Sequence, residues 1–355
     1  MPVGILTPIA SALRVDAGVA GTSLTITGIV AALVAAFAPV LSGRLDKRTL
    51  LMVFLLLLAG ANVMSALATS FAVFAAGRVL IGISMGIVWA NAGALGPRIS
   101  EPAHLGRTMT TIFSGVSVGM VLGLPAGALI ETLGGWRAAL WAVAILGLVA
   151  AVFVRLALPA LPVTERPGMS GIFHPWRDRG VRAGFFITAL IVMGHFAAYT
   201  FIRPVLETGE HNTSLLIVVA LAVFGLAGVL GNFWIGSISH RSPRRALLIA
   251  LAAIAAGAAI IPFVVDYTWL VFDALILWGA AYGGIGVATQ AWNRVANPGI
   301  IESSSAMLSG VFNASIAVGS FVGGLIFDEF GGTVIMLGGA VVVLVGWVVT
   351  ATSRP

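Results

Sequence analysis

Cysteine is absent from the 355 residues, which excludes disulfide scaffolds, thiolate metal sites and cysteine nucleophiles together. Charge is nearly as scarce: only 9% of the chain is Asp, Glu, Lys or Arg, against about a quarter in soluble globular chains. Lysine occurs once, at Lys47. No phosphate-cradling glycine loop is present, which argues against nucleotide-driven chemistry. The histidines His104, His174, His195, His211 and His240 are scattered without metal-ligand spacing, so neither a metal nor a cofactor is expected. What is present is apolar: 59% hydrophobic residues and a mean hydropathy of +1.07. Too few charges remain to cover a water-facing surface, and the bilayer is the solvent these numbers imply. The net charge of +6 has no polar surface on which to gather, so no nucleic-acid partner is expected.

A membrane-crossing helix needs roughly 20 mainly apolar residues. Eleven such runs are expected, over residues 19–42, 49–69, 71–96, 107–131, 137–158, 181–206, 213–239, 245–265, 268–292, 303–327 and 333–351. The longest polar interruption, 159–180, carries Pro159, Pro162, Pro167, Pro175, Arg166, Arg177 and Arg179. It reads as a linker between an N-terminal bundle, 1–158, and a C-terminal bundle, 181–355. Basic residues collect on one set of alternate loops, from Arg44, Lys47 and Arg48 to Arg354, while the other set holds only Arg14 and Arg137. Short basic loops stay inside, so the C-terminus is expected in the cytoplasm. An odd span count then places the N-terminus outside with no signal peptide to carry it across. Pro2 to Pro8, with Val3, Ile5 and Leu6, reads as the tail of a hydrophobic helix that begins upstream of Met1.

The chain also repeats itself. Gly43 to Arg48 followed by Leu50-Leu51 recurs loosely as Gly236 to Arg241 followed by Leu247-Leu248. Ser114-Gly115-Val116 through Gly123, Gly127 and Gly134-Gly135 recurs as Ser309-Gly310-Val311 through Gly319, Gly323 and Gly331-Gly332. Two homologous six-helix bundles related by an axis along the membrane normal would give this pattern, again with one helix missing before residue 19. Gly115, Gly119, Gly123 and Gly127, spaced by four around Pro125, line one helix face. Such a face permits close backbone approach, and at a bundle interface it also permits sliding.

Ionisable groups within spans are site candidates because they are costly in hydrocarbon. Arg78 lies about seven residues, on the order of 10 Å, into its helix. Glu131, Arg203 and Asp273 lie toward the same outer side, where they either pair with it or snorkel to headgroups. His195 falls near mid-membrane and its ordinary titration range suits proton exchange, although a lone buried His is more often a packing residue. Tyr199 and Arg203 follow it at successive turns. Trp89 with Asn91, Asn232 with Trp234, Gln290 with Trp292, and Asn313 add amides and rings suited to a flat heterocycle or sugar. Trp234 and Trp292 have a second reading as interfacial anchors. Gly82-Ile83-Ser84-Met85-Gly86 and Gly115-Val116-Ser117-Val118-Gly119 match a hydrolase nucleophile pattern, but inside apolar helices rather than after a strand, so no enzyme is expected.

Several of these residues carry a family resemblance. Gly77-Arg78-Val79-Leu80-Ile81-Gly82 resembles the fourth-helix motif of the major facilitator superfamily, and Gly115 to Gly127 with Pro125 resembles its fifth-helix antiporter motif. Gly43 to Arg48 looks like a degraded form of the loop motif, one residue short before Asp46. The likeness is to the drug:proton antiporter group, through Gly18-Val19-Ala20-Gly21 with Thr25-Ile26-Thr27, Ile112-Phe113, Gly135-Trp136-Arg137, and Tyr199 to Val205. The resemblance implies an all-α integral membrane fold of two six-helix bundles and a first-helix acidic residue two positions upstream of Met1, since Pro2-Val3-Gly4 matches the sequence that follows it. It further implies a monomer in a bacterial inner membrane that exports a small polar metabolite in exchange for protons. A purine nucleoside is the implied substrate, with sugars or drugs as alternatives, and an eleven-helix chain without its first helix would be inactive. Arg78, Glu131 and Asp273 are then expected in proton coupling. Trp89, Asn91, His195, Tyr199, Arg203, Asn232, Gln290 and Asn313 are expected in the cavity, and Gly115, Gly119, Gly123, Pro125 and Gly127 at the bundle interface.

Overall fold

The computed structural model describes residues 9–15, 17–43, 45–101, 104–162, 174–210 and 212–355. Residues 1–8, read from sequence as the tail of an earlier helix, lie outside them, as do 163–173 of the linker. Among the described residues the regular structure is helical: α1 Ala17–Leu41, α2 Lys47–Ala66, α3 Phe71–Ile99, α4 Leu105–Ala157, α5 Arg179–Tyr199, α6 Ile202–Leu206, α7 Ser214–Arg241, α8 Pro243–Val264, α9 Thr268–Gly283, α10 Ile285–Ala296 and α11 Ile301–Thr352. These labels do not number membrane crossings. At 53 and 52 residues and 1.5 Å per residue, α4 and α11 would each run about 80 Å, more than twice the hydrocarbon thickness. Each is two helices joined at a glycine, Gly135 (φ 75°, ψ 174°) in α4 and Gly331 (φ 80°, ψ −178°) in α11. The two breaks share one backbone conformation and sit at matching points of the repeated sequence.

Eight stretches among the described residues are long and apolar enough to cross a membrane. Short polar residues set where they begin. Asp46, Ser70, Asp178, Thr213 and Ser242 each accept a bond from the amide three residues on, satisfying a donor that the first helical turn leaves open. Pro243 stands at the first position of α8, where its missing N–H costs nothing. Large apolar side chains such as Leu133, Leu156, Phe263 and Trp269 are exposed, a surface suited to lipid rather than water.

Packing divides the described residues into two compact units. One is drawn from Met1–Pro102, Ala126–Pro175 and Glu302–Ala317, the other from Ala103–Pro125, Trp176–Ile301 and Val318–Pro355. Each unit therefore takes a segment from beyond the linker, and those two segments are the ones that begin the repeated Ser-Gly-Val pattern. In the first unit α1 and α2 pack on α3. Ala35, Ala38, Leu50, Ile87, Ala90 and Ala306 form one core cluster, and Ile9, Leu13, Phe74, Trp136 and Leu140 belong to another. Arg137 lies over the Trp136 ring at 4.3 Å and donates to the carbonyls of Ala66 (3.1 Å) and Ala68 (3.2 Å), closing the end of α2.

In the second unit α7, α8 and α9 pack together, with α10 against α5 and α7. Glycine allows the closest approaches. A methyl placed on Gly283 would land on the Gly228 carbonyl, one on Gly231 on the Ala280 carbonyl, and one on Gly279 on the Phe224 carbonyl. Helix association in lipid rests on such small-residue contacts because there is no hydrophobic drive between apolar helices.

Candidate functional site

A ring cluster fills the middle of the second unit. His195, one turn before the end of α5, has no solvent exposure. The Tyr282 ring of α9 lies parallel to its imidazole, with centroids 3.4 Å apart and an interplanar angle of 3°. Tyr199 stacks at 5.1 Å and 16°, and Phe196 and Trp278 present edges at 5.0 and 5.5 Å. Phe224 of α7 stacks on Tyr199 at 4.8 Å. Trp278 Nε1 donates to His195 Nδ1 at 3.0 Å. His195 Nε2 and the Tyr282 hydroxyl are buried with no hydrogen-bond partner among the described residues. The structure thus brings His195 and Tyr199 together, as their four-residue spacing predicts. It adds Trp278, Tyr282, Phe196 and Phe224, which do not stand out in the sequence because aromatics are common packing residues.

Arg203 does not join them. α5 ends at Tyr199 and the chain restarts as the five-residue α6, so the turn-by-turn extrapolation from Tyr199 fails. Arg203 is exposed and pairs with Glu207 at 2.8 Å. At the break the Thr200 hydroxyl donates back to the Phe196 carbonyl and lies 3.0 Å from the Ser320 hydroxyl.

The first unit holds a second polar group. Arg78 is buried, its guanidinium 4.6 Å over the Phe74 ring, and its Nε and Nη2 have no protein partner. A cation over an aromatic face recovers part of its lost hydration. Thr27 donates to the Ser23 carbonyl (2.9 Å) and the Arg78 carbonyl (3.3 Å), and the Ser23 hydroxyl is buried without a partner. Deeper along α3, Asn91 accepts from Lys47 Nζ at 2.7 Å, both side chains buried. Lys47 was read from sequence only as a loop charge.

Beside it, the Asp46 carboxylate caps α2. It accepts the amide of Leu161, the amide of Thr49 (3.1 Å) and the Thr49 hydroxyl (3.2 Å), while the Lys47 amide donates to the Leu161 carbonyl at 3.1 Å. Burial pushes the carboxyl up, but the amides of Thr49 and Leu161, the Thr49 hydroxyl and the Arg48 guanidinium outweigh it and hold it below the ordinary carboxylate value.

The remaining expected residues lie apart. Glu131 is half-buried and Asp273 exposed, and the described contacts bring neither to Arg78. Asn232 is buried with its Nδ2 unpartnered, Asn313 is buried and donates to the Ser309 carbonyl at 2.8 Å, and Gln290 and Trp89 are half-buried. Trp234 is exposed, whereas Trp292 is buried and donates to the Gly180 carbonyl at 2.9 Å, a packing position rather than an anchor. A methyl on Gly115, Gly119 or Gly123 meets no described atom within 4 Å. In the second repeat, a methyl on Gly319 or Gly323 would meet the Met193 or Ala197 carbonyl at 2.5 or 2.8 Å. Gly127 continues the α4 helix, and the Pro125 side chain lies outside the described residues.

Comparison with known proteins decides the family. The family model described as Major Facilitator Superfamily matches residues 1–294. The chain belongs to the Major Facilitator Superfamily. It is 28% identical to the purine ribonucleoside efflux pump NepI of Escherichia coli K12, and 30% identical to the Pseudomonas aeruginosa protein named transcription regulatory protein OpdE; each alignment covers all of this chain and 90% of the relative. The crystal structure of the human organic anion transporter MFSD10 (TETRAN) superposes with a TM-score of 0.76 at 17% identity, covering 97% of this chain and 88% of that one, a likeness of fold. This major facilitator protein is a multi-pass membrane protein of a transporter family, and its homologues and fold are not those of enzymes.

Proposed function

We propose that this major facilitator protein exports a purine nucleoside, or a similar flat polar metabolite, in exchange for protons by alternating access. The observation that carries the reading is the buried group of rings around His195, which combines stacking faces with polar atoms that no protein group satisfies. Full-length similarity to purine ribonucleoside efflux pumps supports the same substrate class. In this reading Arg78, with Glu131 and Asp273, couples transport to protons. Trp89, Asn91, His195, Tyr199, Arg203, Asn232, Gln290 and Asn313 serve the substrate path, and Gly115, Gly119, Gly123, Pro125 and Gly127 ease bundle movement. The protein acts as a monomer in a bacterial inner membrane with its C-terminus in the cytoplasm. The relative named as a transcription regulator does not redirect the reading, because a chain with 9% charged residues offers no basic polar surface to nucleic acid.

Everted membrane vesicles test it. Vesicles carrying the protein should accumulate labelled inosine when respiration acidifies their interior, and a protonophore should abolish the accumulation. Equilibration that ignores the protonophore would replace the antiporter with a facilitator, and no uptake beyond control vesicles would overturn the substrate.

A further inference from the structure

The two nitrogens of the His195 imidazole are treated differently. An indole N–H only donates, so the 3.0 Å bond from Trp278 Nε1 requires Nδ1 to present its lone pair, and the proton of the neutral ring then resides on Nε2. Protonating Nδ1 would set one N–H against another at that distance. Nε2 is therefore a donor, it is fully buried, and no described protein atom accepts from it. The parallel Tyr282 ring brings a second buried, unpartnered polar atom, its hydroxyl, into the same cluster. Buried polar groups are nearly always matched, and two orphans on adjacent stacked rings mark a place where something other than the protein supplies the match.

Among the described residues no charged group bonds to or stacks on this ring. Titratable groups stacked with it are Tyr199 of its own helix and Tyr282 of α9; α7 contributes Phe224. The charged or titratable residues on the helices packed around α5 include Asp273, exposed and more than a turn before Trp278 on α9, His240 and Arg241 in the last turn of α7, Arg244 and Arg245 in the first turn of α8, Arg294 in the last turn of α10, and Glu302 in the first turn of α11, on the segment that belongs to the first unit. Asp328 and Glu329 of α11 are exposed.

We infer that His195 is a specificity-determining hydrogen-bond donor, locked by Trp278 as the neutral Nε2–H tautomer, which donates to a ring nitrogen or carbonyl oxygen of a flat heterocyclic substrate and does not carry the exchanged proton. The inference rests on the nucleoside-transport reading for its ligand, and it sets aside the expectation that the ordinary titration range of histidine fits this one for proton exchange. Purines match the site because their rings carry several in-plane acceptors and two faces for stacking.

The test uses the full chain in lipid nanodiscs with 15N-labelled histidine, the His195 signals being assigned by their loss in His195→Gln. Wild-type His195 should show a protonated Nε2 and an unprotonated Nδ1, unchanged from about pH 5.5 to 8, a range that spans the ordinary histidine pKa. Equilibrium dialysis of labelled inosine should show binding weakened about tenfold in His195→Phe, the loss expected for one hydrogen bond. His195→Gln, whose amide N–H takes the place of Nε2–H, should stay close to wild type. Trp278→Phe removes the donor that fixes Nδ1, so its nitrogen spectrum should show both neutral tautomers.

A protonated Nδ1, or a wild-type His195 that titrates across this range, overturns the inference, as does His195→Phe binding inosine like wild type. Wild-type protein that binds no inosine overturns the nucleoside reading and the ligand half of the inference together, while the nitrogen signals still decide the tautomer.

Discussion

Arg78 and Asp46 are both charged, and their surroundings set them to opposite tasks. Arg78 sits in an apolar helix with the Phe74 face against its guanidinium and, among the described residues, two of its nitrogens without a hydrogen-bond partner. Arg78→Ala should abolish proton-driven inosine uptake while leaving the amount of protein in the membrane unchanged; uptake that persists removes Arg78 from coupling. Asp46 is the reverse case, a carboxylate whose bonds tie the start of α2 to Leu161. Asp46→Ala should lower stability by about 1 kcal/mol, the usual cost of a lost N-cap, as read from thermal unfolding in detergent. Its folded pKa is depressed, so its contribution is present at neutral pH. It disappears only as pH falls from the unfolded value of 3.8 down through the lower folded one, and the wild-type and Asp46→Ala melting curves should converge there. Residue chemistry was partly legible in advance: Arg78 and His195 stood out because ionisable groups are rare in apolar runs. Lys47, Trp278 and Tyr282 did not, because their significance lies in partners 44, 83 and 87 positions away, which no local spacing reveals.

At the scale of helices, glycine spacing defines a face, and the described packing shows where glycine backbones meet. A four-residue glycine period defines a smooth face but not what lies against it. A methyl on Gly115, Gly119 or Gly123 meets no described atom, whereas Gly228, Gly231, Gly279 and Gly283 bring α7 and α9 backbone to backbone. Gly283→Ala should therefore destabilise by about 1–3 kcal/mol through overpacking. Gly115→Ala should leave stability unchanged or raise it by up to about 1 kcal/mol through helix propensity. Paired thermal melts check both, and equal effects would mean that the two faces are packed alike. The matched breaks at Gly135 and Gly331 are a different use of glycine. Both adopt positive φ with ψ near 180°, a region open essentially to glycine alone, and no described atom lies near a prospective methyl, so Gly135→Ala should cost about 1–3 kcal/mol from backbone strain alone, and Gly331→Ala a similar amount. The paired Gly-Gly sequences already separated the expected runs 107–131 from 137–158 and 303–327 from 333–351, and the breaks at Gly135 and Gly331 fall in those gaps. The break after Tyr199 was hidden because Thr200 and Phe201 are unremarkable in an apolar run.

For the whole molecule, composition was the strongest guide: a chain this apolar and this poor in charge had few alternatives to a helical membrane protein. The distribution of arginine adds a direction. A fluorescent protein fused after Pro355 should mature and fluoresce, as it does only in the cytoplasm, and an alkaline phosphatase fused at the same place should be inactive; the opposite pair of results would invert the orientation. Scarcity also has a practical side. The only lysine amine in 355 residues is 6% exposed and hydrogen-bonded to Asn91. Amine-reactive reagents should therefore leave Lys47 untouched in the folded protein and modify it only when the start of α2 pulls away from α3. The rate at which a succinimidyl ester reaches this single side chain becomes a clock for that opening, built into the natural sequence and needing no engineered label.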